Sequence, residues 1–197
     1  MPKIAQALII GFVVALVVGG GMGWLLSFDP EPHAMTPLMT GAGAGALTAF
    51  IIATLAGNRS IANVSQADKR AALERSPPEG KALIFLVRRG YMAKLVGMNF
   101  EIDSIPVAQL KSPHFTCVAV PAGPHTITAA FGGFAAGQSK VGGFALTATP
   151  GMTAVIEARM LWGLVQGGIG LSQQTDVAAA KARLAGKPMT PPDVSEI

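Results

Sequence analysis

The sequence predicts an α+β protein: an N-terminal two-helix transmembrane hairpin, then a small all-β sandwich of about seven antiparallel strands and a C-terminal helix. Three observations predict this class. The first 57 residues contain two long apolar runs separated by a short polar segment. Beyond Lys81 apolar and polar residues alternate with period two, between frequent turn signals. Pro77-Pro78 separates the two parts, because consecutive prolines cannot continue a helix.

Residues 4–28 and 37–57 are the predicted membrane spans. The first run is apolar apart from Gln6 and Ser27, and the second contains no charged residue. About 20 apolar residues cross the hydrocarbon core of a bilayer, so both runs are long enough. The first run continues through residues 24–26, further than the apolar region of an ordinary signal peptide. This length favours an uncleaved anchor.

Both runs place a small residue at every fourth position, which keeps these residues on one helix face and lets two backbones approach closely. The predicted packing face consists of Ala7, Gly11, Ala15, Gly19, Gly23, Gly41, Gly45, Ala49, Ala53 and Gly57. The expected contacts are Gly23 with Gly41, Gly19 with Gly45 and Ala15 with Ala49, and the chain should reverse near residue 32. Two alternatives stay open, in which the small residues face lipid or pack between separate copies.

Positive charge near the ends of the spans predicts the orientation of the hairpin. Lys3 precedes the first span, the connecting segment 29–36 has no lysine or arginine, and basic residues follow the second span. We therefore expect an inner (plasma) membrane protein with both termini in the cytoplasm; the alternative places the C-terminal domain in the periplasm. The predicted basic collar, which would meet anionic headgroups, consists of Arg59, Lys69, Arg70 and Arg75.

The net charge of +4 does not indicate a nucleic-acid partner, because no basic groove interleaved with aromatic residues is visible in the sequence. Composition shifts and turn signals divide the chain into five segments. These are the hairpin (1–58), a juxtamembrane basic helix with a proline linker (59–80), the sandwich (81–171), a C-terminal helix (172–186) and a disordered tail (187–197). Thr175 is the expected helix cap, and the tail contains three prolines without an apolar pattern.

Part of the sandwich resembles a known domain type. The resemblance rests on residues 100–103, 107–110 and 118–127, which include Phe-Glu-Ile-Asp, Val-Ala-Gln-Leu and Pro-Ala-Gly-Pro-His. Over residues 81–159 the chain is similar to an uncharacterised bacterial family of PEGA-like β-sandwich domains. The resemblance implies an envelope protein without known catalysis. The chain departs from that pattern in lacking a lipidated cysteine, in having Ser104 and Pro113 where glycine is usual, and in its two spans.

No catalytic, cofactor-binding or metal site is predicted, and we expect no enzyme. Cys117 is the only cysteine, and His114 lies three positions before it, which on a strand places the two side chains on opposite faces. His125 follows a Pro-rich turn and is expected to hydrogen-bond to carbonyl groups of that turn. Residues 132–139 have the glycine spacing of a phosphate-binding loop, but Gln138 stands where that loop has lysine.

Phe134, Trp162 and Leu164 lie in apolar stretches that exceed what a small sandwich needs. They either cover the edges of the sandwich or form an apolar patch that docks onto headgroups or another subunit. The predicted function is a non-catalytic, membrane-anchored interaction or accessory subunit. Its partners would be the lipid bilayer and either another membrane protein or further copies of itself. The alternative is an oligomeric pore or transporter subunit assembled through the glycine-rich helices.

Overall fold

The chain forms two compact units, Met1–Gly57 and Asn58–Ile197. The structure, a computed structural model, describes residues 3–27, 35–59, 63–163 and 167–197. The α+β class predicted from the sequence is confirmed at the level of two apolar N-terminal helices, two sheets and a C-terminal helix.

The first unit consists of α1 (Lys3–Leu26) and α2 (Met35–Leu55), both long and apolar enough to cross a membrane. Helix α2 begins two residues earlier than the predicted span and includes Pro37. Proline is tolerated in the first turn of a helix, where its missing N–H has no intrahelical acceptor. The predicted reversal near residue 32 lies outside the described residues.

The second unit contains two further helices and, among its described residues, nine strands. The helices are α3 (Gln66–Glu74) and α4 (Val177–Leu184), and a 3₁₀ turn covers Gly133–Gln138. The strands are β1 (Lys81–Arg89), β2 (Met98–Ile102), β3 (Ile105–Leu110), β4 (Phe115–Pro121), β5 (Gly123–Phe131), β6 (Ser139–Lys140), β7 (Gly142–Ala148), β8 (Thr153–Leu161) and β9 (Gly167–Gln173).

These strands form a five-stranded sheet, in the order β4-β1-β8-β9-β6, and a four-stranded sheet, in the order β3-β2-β5-β7. The prediction of antiparallel strands throughout is wrong, because β1 pairs with β8 in parallel and β6 pairs with β9 in parallel. β1 lies between two neighbours and is buried from residue 82 to residue 88. A continuous apolar run is typical of such a central strand, which is covered on both faces.

The five-stranded sheet is covered on both faces. On one face Leu83, Phe85 and Val87 of β1 pack in one cluster with Ala180 and Leu184 of α4. Side chains alternate along a strand. The fully buried Ile84 and Leu86, which alternate with these residues on β1, therefore face the four-stranded sheet. The unit therefore has three layers: helices, five-stranded sheet and four-stranded sheet.

The C-terminal tail predicted to be disordered, residues 187–197, instead lies along β4, the edge strand of the five-stranded sheet. The Thr190 amide donates to the Phe115 carbonyl at 2.9 Å, and the Ile197 amide donates to the Ala119 carbonyl at 3.0 Å. Met189 is buried in the core cluster. The prediction failed because an open strand edge offers unpaired backbone groups to any extended segment, including one rich in proline.

Both short helices differ from their predicted limits. Residues 56–59 form a turn and irregular chain after α2, so the predicted juxtamembrane helix does not begin at residue 59. Helix α3 starts only at Gln66, where the Ser65 hydroxyl accepts a hydrogen bond from the Asp68 amide at 3.1 Å. Helix α4 is capped by Asp176 instead of Thr175, because the Asp176 carboxylate accepts from the Ala179 amide at 2.9 Å.

Candidate functional site

Three charged residues meet where β1 and β8 end side by side. Arg89 of β1 is the register partner of Arg159 of β8, and two like charges at neighbouring positions repel each other. Glu157, two residues before Arg159 on the same face of β8, lies close to both guanidinium groups. Its Oε1 accepts from Arg89 Nη1 at 3.2 Å and its Oε2 accepts from Arg159 Nη2 at 2.7 Å. With a side chain only 5% exposed, Glu157 holds the two arginines in place.

Two adjoining cavities, of about 240 Å³ and about 490 Å³, lie beside these residues and share Arg89, Pro113 and Lys187 in their walls. We call them together the basic cleft. Its charged and polar lining consists of Arg88, Arg89, Tyr91, Lys94, Ser112, Glu157, Arg159, Arg183 and Lys187. Six of these residues are cationic and one is a carboxylate. The Arg88 guanidinium group bonds to the carbonyl groups of residues 93, 96 and 110, so five cations remain for the cleft and its potential is strongly positive.

Most of the hydrogen-bonding capacity of the two arginines remains available to the cleft. A guanidinium group has five N–H donors, and Glu157 receives bonds from one nitrogen of each arginine. The Arg89 and Arg159 side chains are 49% and 53% exposed. Tyr91 is 91% exposed and lies beside Lys94, whose Nζ is 6.0 Å from the ring centroid. Exposed guanidinium and ammonium groups of this kind are donors that suit an anion.

Arg88 supports the cleft from the opposite face of β1. It is 2% exposed and lies 5.0 Å above the Phe131 ring, and burial lowers its pKa to about 10. Its guanidinium group donates to the Val96 carbonyl, to the Leu110 carbonyl at 3.1 Å and to the Ala93 carbonyl at 2.5 Å. These bonds hold the loop 90–97, and this loop contains Tyr91 and Lys94 of the cleft.

A second polar cluster lies at the turn between β2 and β3. Asp103 and Ser104 form a two-residue turn with φ of 51° and 67°, a left-handed conformation that usually selects glycine or asparagine. The Asp103 carboxylate accepts from the Thr126 amide at 2.8 Å and from His125 Nδ1 at 2.6 Å. His125 Nε2 donates to the Pro121 carbonyl at 2.8 Å. The predicted bond between His125 and a turn carbonyl is confirmed, and its ion pair with Asp103 was not predicted.

The protonation of this cluster follows from its partners. Burial lowers the pKa of His125. The hydrogen bonds to Asp103 and Pro121 and the negative charge of Asp103 raise this pKa by more than burial lowers it, so the pKa of His125 lies above its usual value. The bonds from Thr126 and His125 lower the pKa of Asp103. Both imidazole nitrogens face acceptors, so the doubly protonated ring is the form that satisfies them.

We therefore expect His125 to stabilise the fold in a limited pH range. A raised histidine pKa gives stability that is complete below the unfolded pKa and is lost as pH rises through the folded pKa. Asp103 adds stability that is lost as pH falls through its own lowered pKa. The thermal midpoint of the wild type should exceed that of His125→Asn most at about pH 5.5 and less at about pH 9.

His114 is the matched control for this experiment. Burial and the charge of Lys111 lower its pKa, so its ionisation contributes with the opposite sign. The difference between wild type and His114→Asn should therefore not shrink as pH rises. A difference for His125→Asn that grows from about pH 5.5 to about pH 9 would contradict the ion pair with Asp103.

The predicted packing face lies largely between α1 and α2, but with a different register. Gly41 approaches Gly19, where the prediction had Gly23, and a Cβ added at Gly45 would meet the Ala15 Cβ at 2.6 Å, where the prediction had Gly19. The register therefore differs from the expected one by about one helical turn. The remaining members are placed as follows: Gly11 meets Ala49, Gly23 meets Pro37, Ala7 is buried, Ala53 is half-buried and Gly57 lies beyond the end of α2.

The basic collar is largely used within the second unit. Lys69 is buried, with its Nζ donating to the Ala185 carbonyl at 2.8 Å. Arg75 pairs with Glu196 at 3.2 Å, and Arg59 pairs with Asp193. Arg70 is exposed. Three of the four therefore bond to the segment 185–197, and only Lys69 is buried, so a headgroup-binding collar of these residues stays a prediction.

Only part of the predicted apolar patch can be placed. Trp162 follows β8 and is 84% exposed. Phe134 belongs to the 3₁₀ turn, and Leu164 lies outside the described residues. A shared patch of the three residues stays a prediction.

Cys117 and His114 are not brought together as a reactive pair. Cys117 is buried in the core cluster, and burial raises the pKa of its thiol to about 12. His114 Nδ1 lies 3.0 Å from the Thr190 hydroxyl of the tail. Among the described residues no group of three or more His, Cys, Asp or Glu side chains has an arrangement that could hold a metal ion.

No protein-family model matches the chain, and no curated protein matches it. The resemblance of residues 81–159 to PEGA-like domains therefore stays a prediction.

Proposed function

We propose that this chain is a membrane-anchored, non-catalytic interaction subunit of the inner membrane, with both termini in the cytoplasm. The observation that supports it best is the distribution of side chains on α1 and α2. Small residues occupy the contact between the helices, and large apolar residues are exposed on the other faces. The exposed residues include Leu8, Phe12, Leu16, Val17, Leu38, Met39 and Leu47. This is the pattern of helices that pack through small residues and face lipid.

The second unit supports a binding role. The Cys117 thiol is poorly suited to act as a nucleophile, since it is buried and its pKa is raised. Ser112 in the basic cleft donates its hydroxyl hydrogen to the Gly90 carbonyl at 2.7 Å. Neither is arranged as a nucleophile beside a general base. The cleft instead presents charged side chains on a stable sandwich.

Anchoring and orientation are tested on the full chain. After alkaline carbonate extraction of membranes the protein should remain in the pellet; recovery in the supernatant would contradict the anchor. For orientation, Cys117→Ala removes the only thiol, and Ser195→Cys introduces an exposed one. An impermeant maleimide should label Ser195→Cys only after cell lysis, whereas Thr36→Cys, at the opposite side of the membrane, should react in intact cells. Labelling of Ser195→Cys in intact cells would place the domain in the periplasm.

The second candidate is an oligomeric membrane component, such as a pore or transporter subunit. It is favoured by Gly20, Gly21 and Gly43, where an added Cβ would meet no atom within 4 Å, so small residues also lie outside the contact of α1 with α2. Oxidation of Gly20→Cys in the Cys117→Ala chain tests this. Disulfide-linked dimers in membranes at low expression would favour the oligomer, and their absence would favour the lone hairpin.

A further inference from the structure

We propose that the basic cleft binds a phosphate group, held by the guanidinium groups of Arg89 and Arg159 and by the ammonium groups of Lys94 and Lys187. The ligand would be a phosphomonoester or a diphosphate, supplied by a lipid headgroup or by a soluble compound. This inference rests on the proposed function in one respect: a lipid headgroup is a source of the ligand only if the chain is anchored in a membrane.

The charge of the cleft is the first argument. Five cations face two adjoining cavities, and their described lining contains a single carboxylate. Like charges at this density repel and lower the stability of the folded chain, so the arrangement has a cost that a bound anion offsets. Val87, Val155 and Leu184 form apolar parts of the wall, and such low-dielectric walls strengthen the field inside.

The second argument is the orientation of the arginines. Arg89 and Arg159 are both bonded to the buried carboxylate of Glu157, so their planar groups are held before a ligand arrives. A guanidinium group matches two oxygens of one phosphate at once, and a side chain that is already ordered loses less entropy on binding. Two such groups side by side fit a dianion better than a single carboxylate.

The shape of the cleft supports a discrete ligand over a nucleic acid. Nucleic acids are bound by basic residues that follow a strand through many phosphates. Here the cations converge on two adjoining cavities of about 240 Å³ and about 490 Å³. The larger cavity, bordered by Tyr91 and Lys94, leaves room beside the phosphate for the remainder of the ligand, against an aromatic face.

The test uses the full chain in nanodiscs of phosphatidylcholine. Its unfolding midpoint is followed during titration with inorganic phosphate and with pyrophosphate, and with acetate and chloride at equal ionic strength. A saturable rise with phosphate or pyrophosphate, absent with acetate and chloride, is expected for a soluble ligand. For a lipid ligand, the rise should occur when phosphatidic acid, which has a phosphomonoester headgroup, is added to the nanodiscs.

Arg159→Gln should weaken the observed affinity by about tenfold or more, since each bidentate charged pair contributes about 1.4 kcal/mol or more. The matched control is Arg70→Gln, which removes an exposed arginine of α3 outside the cleft and should leave the affinity unchanged. If Arg159→Gln fails to fold, Lys94→Gln and Lys187→Gln replace it, because neither side chain bonds to Glu157.

Three outcomes would overturn the phosphate site. These are no saturable response to phosphate, pyrophosphate or phosphatidic acid; an equal response to acetate; and unchanged affinity in the cleft variants. None of them bears on membrane anchoring, which carbonate extraction measures separately.

Discussion

Replacing Gly41 by leucine should separate α1 from α2, whereas the same replacement at Gly43 should leave them packed. A Cβ at Gly41 would lie 2.5 Å from the Ala15 carbonyl oxygen and 2.8 Å from the Gly19 Cα. Both are backbone atoms of the facing helix, so the helices themselves must move apart. At Gly43 the added Cβ would meet nothing within 4 Å. The two variants gain the same side chain in the same helix, and only its position differs.

The unfolding midpoint of the hairpin, followed by circular dichroism in detergent, measures this difference. Overpacking of a close contact costs about 1–3 kcal/mol, and we expect the upper part of that range because backbone atoms are involved. Gly43→Leu should unfold within experimental error of the wild type. Equal shifts for the two variants would show that the packing face is not the contact between the helices.

Arg88→Met should unfold the second unit far more readily than Arg89→Met. The first change removes the arginine donor from the buried carbonyl groups of residues 96 and 110, whereas the Ala93 carbonyl keeps the Val96 amide as a donor at 3.0 Å. Buried groups that lose their donor cost about 1–3 kcal/mol each, so we expect a loss of about 2 kcal/mol or more from these two carbonyl groups. Arg89 is half exposed, and Glu157 would keep Arg159, so its loss should cost no more than about 1 kcal/mol.

Chemical denaturation of the full chain, with the tryptophan and tyrosine fluorescence as signal, gives both values. If Arg88→Met and Arg89→Met lose equal stability, the carbonyl groups find other donors and Arg88 does not hold the loop. If the Arg88 variant loses the order of the loop without unfolding globally, hydrogen exchange at residues 90–97 should become faster. Such a disordered loop would also weaken the cleft, because Tyr91 and Lys94 belong to it.

The two apolar helices could be predicted well because their signal is local. Length and composition predict a helix that is long and apolar enough to cross a membrane, and glycines at every fourth position define a face whatever their partner is. The register could not be predicted, because a face that repeats every turn fits its partner equally well after a shift of one turn. The close approach of Gly23 to Pro37 belongs to the observed register, and this contact involves a residue outside the expected packing face.

The basic cleft was missed because its parts are distant in sequence. Arg89 and Arg159 become neighbours only through the parallel pairing of β1 with β8, which alternation of apolar residues does not reveal. Two signals were present, a charged pair at the end of the apolar strand β1 and Glu157 two positions before Arg159. The tail was missed for a related reason, since its hydrogen bonds are made to a strand edge that sequence patterns do not locate.

The central place of β1 also has a consequence for the speed of folding. One of its edges pairs with β4, which follows within a few tens of residues, but the other edge pairs with residues 153–159. Domains dominated by contacts between distant residues fold slowly, because loop closure costs entropy before the contact forms. During synthesis, therefore, a strand with an unbroken apolar run from residue 82 to residue 87 should wait for a partner made much later. The step that brings β8 to β1 should limit the folding rate, and this interval is when the chain is most exposed to aggregation.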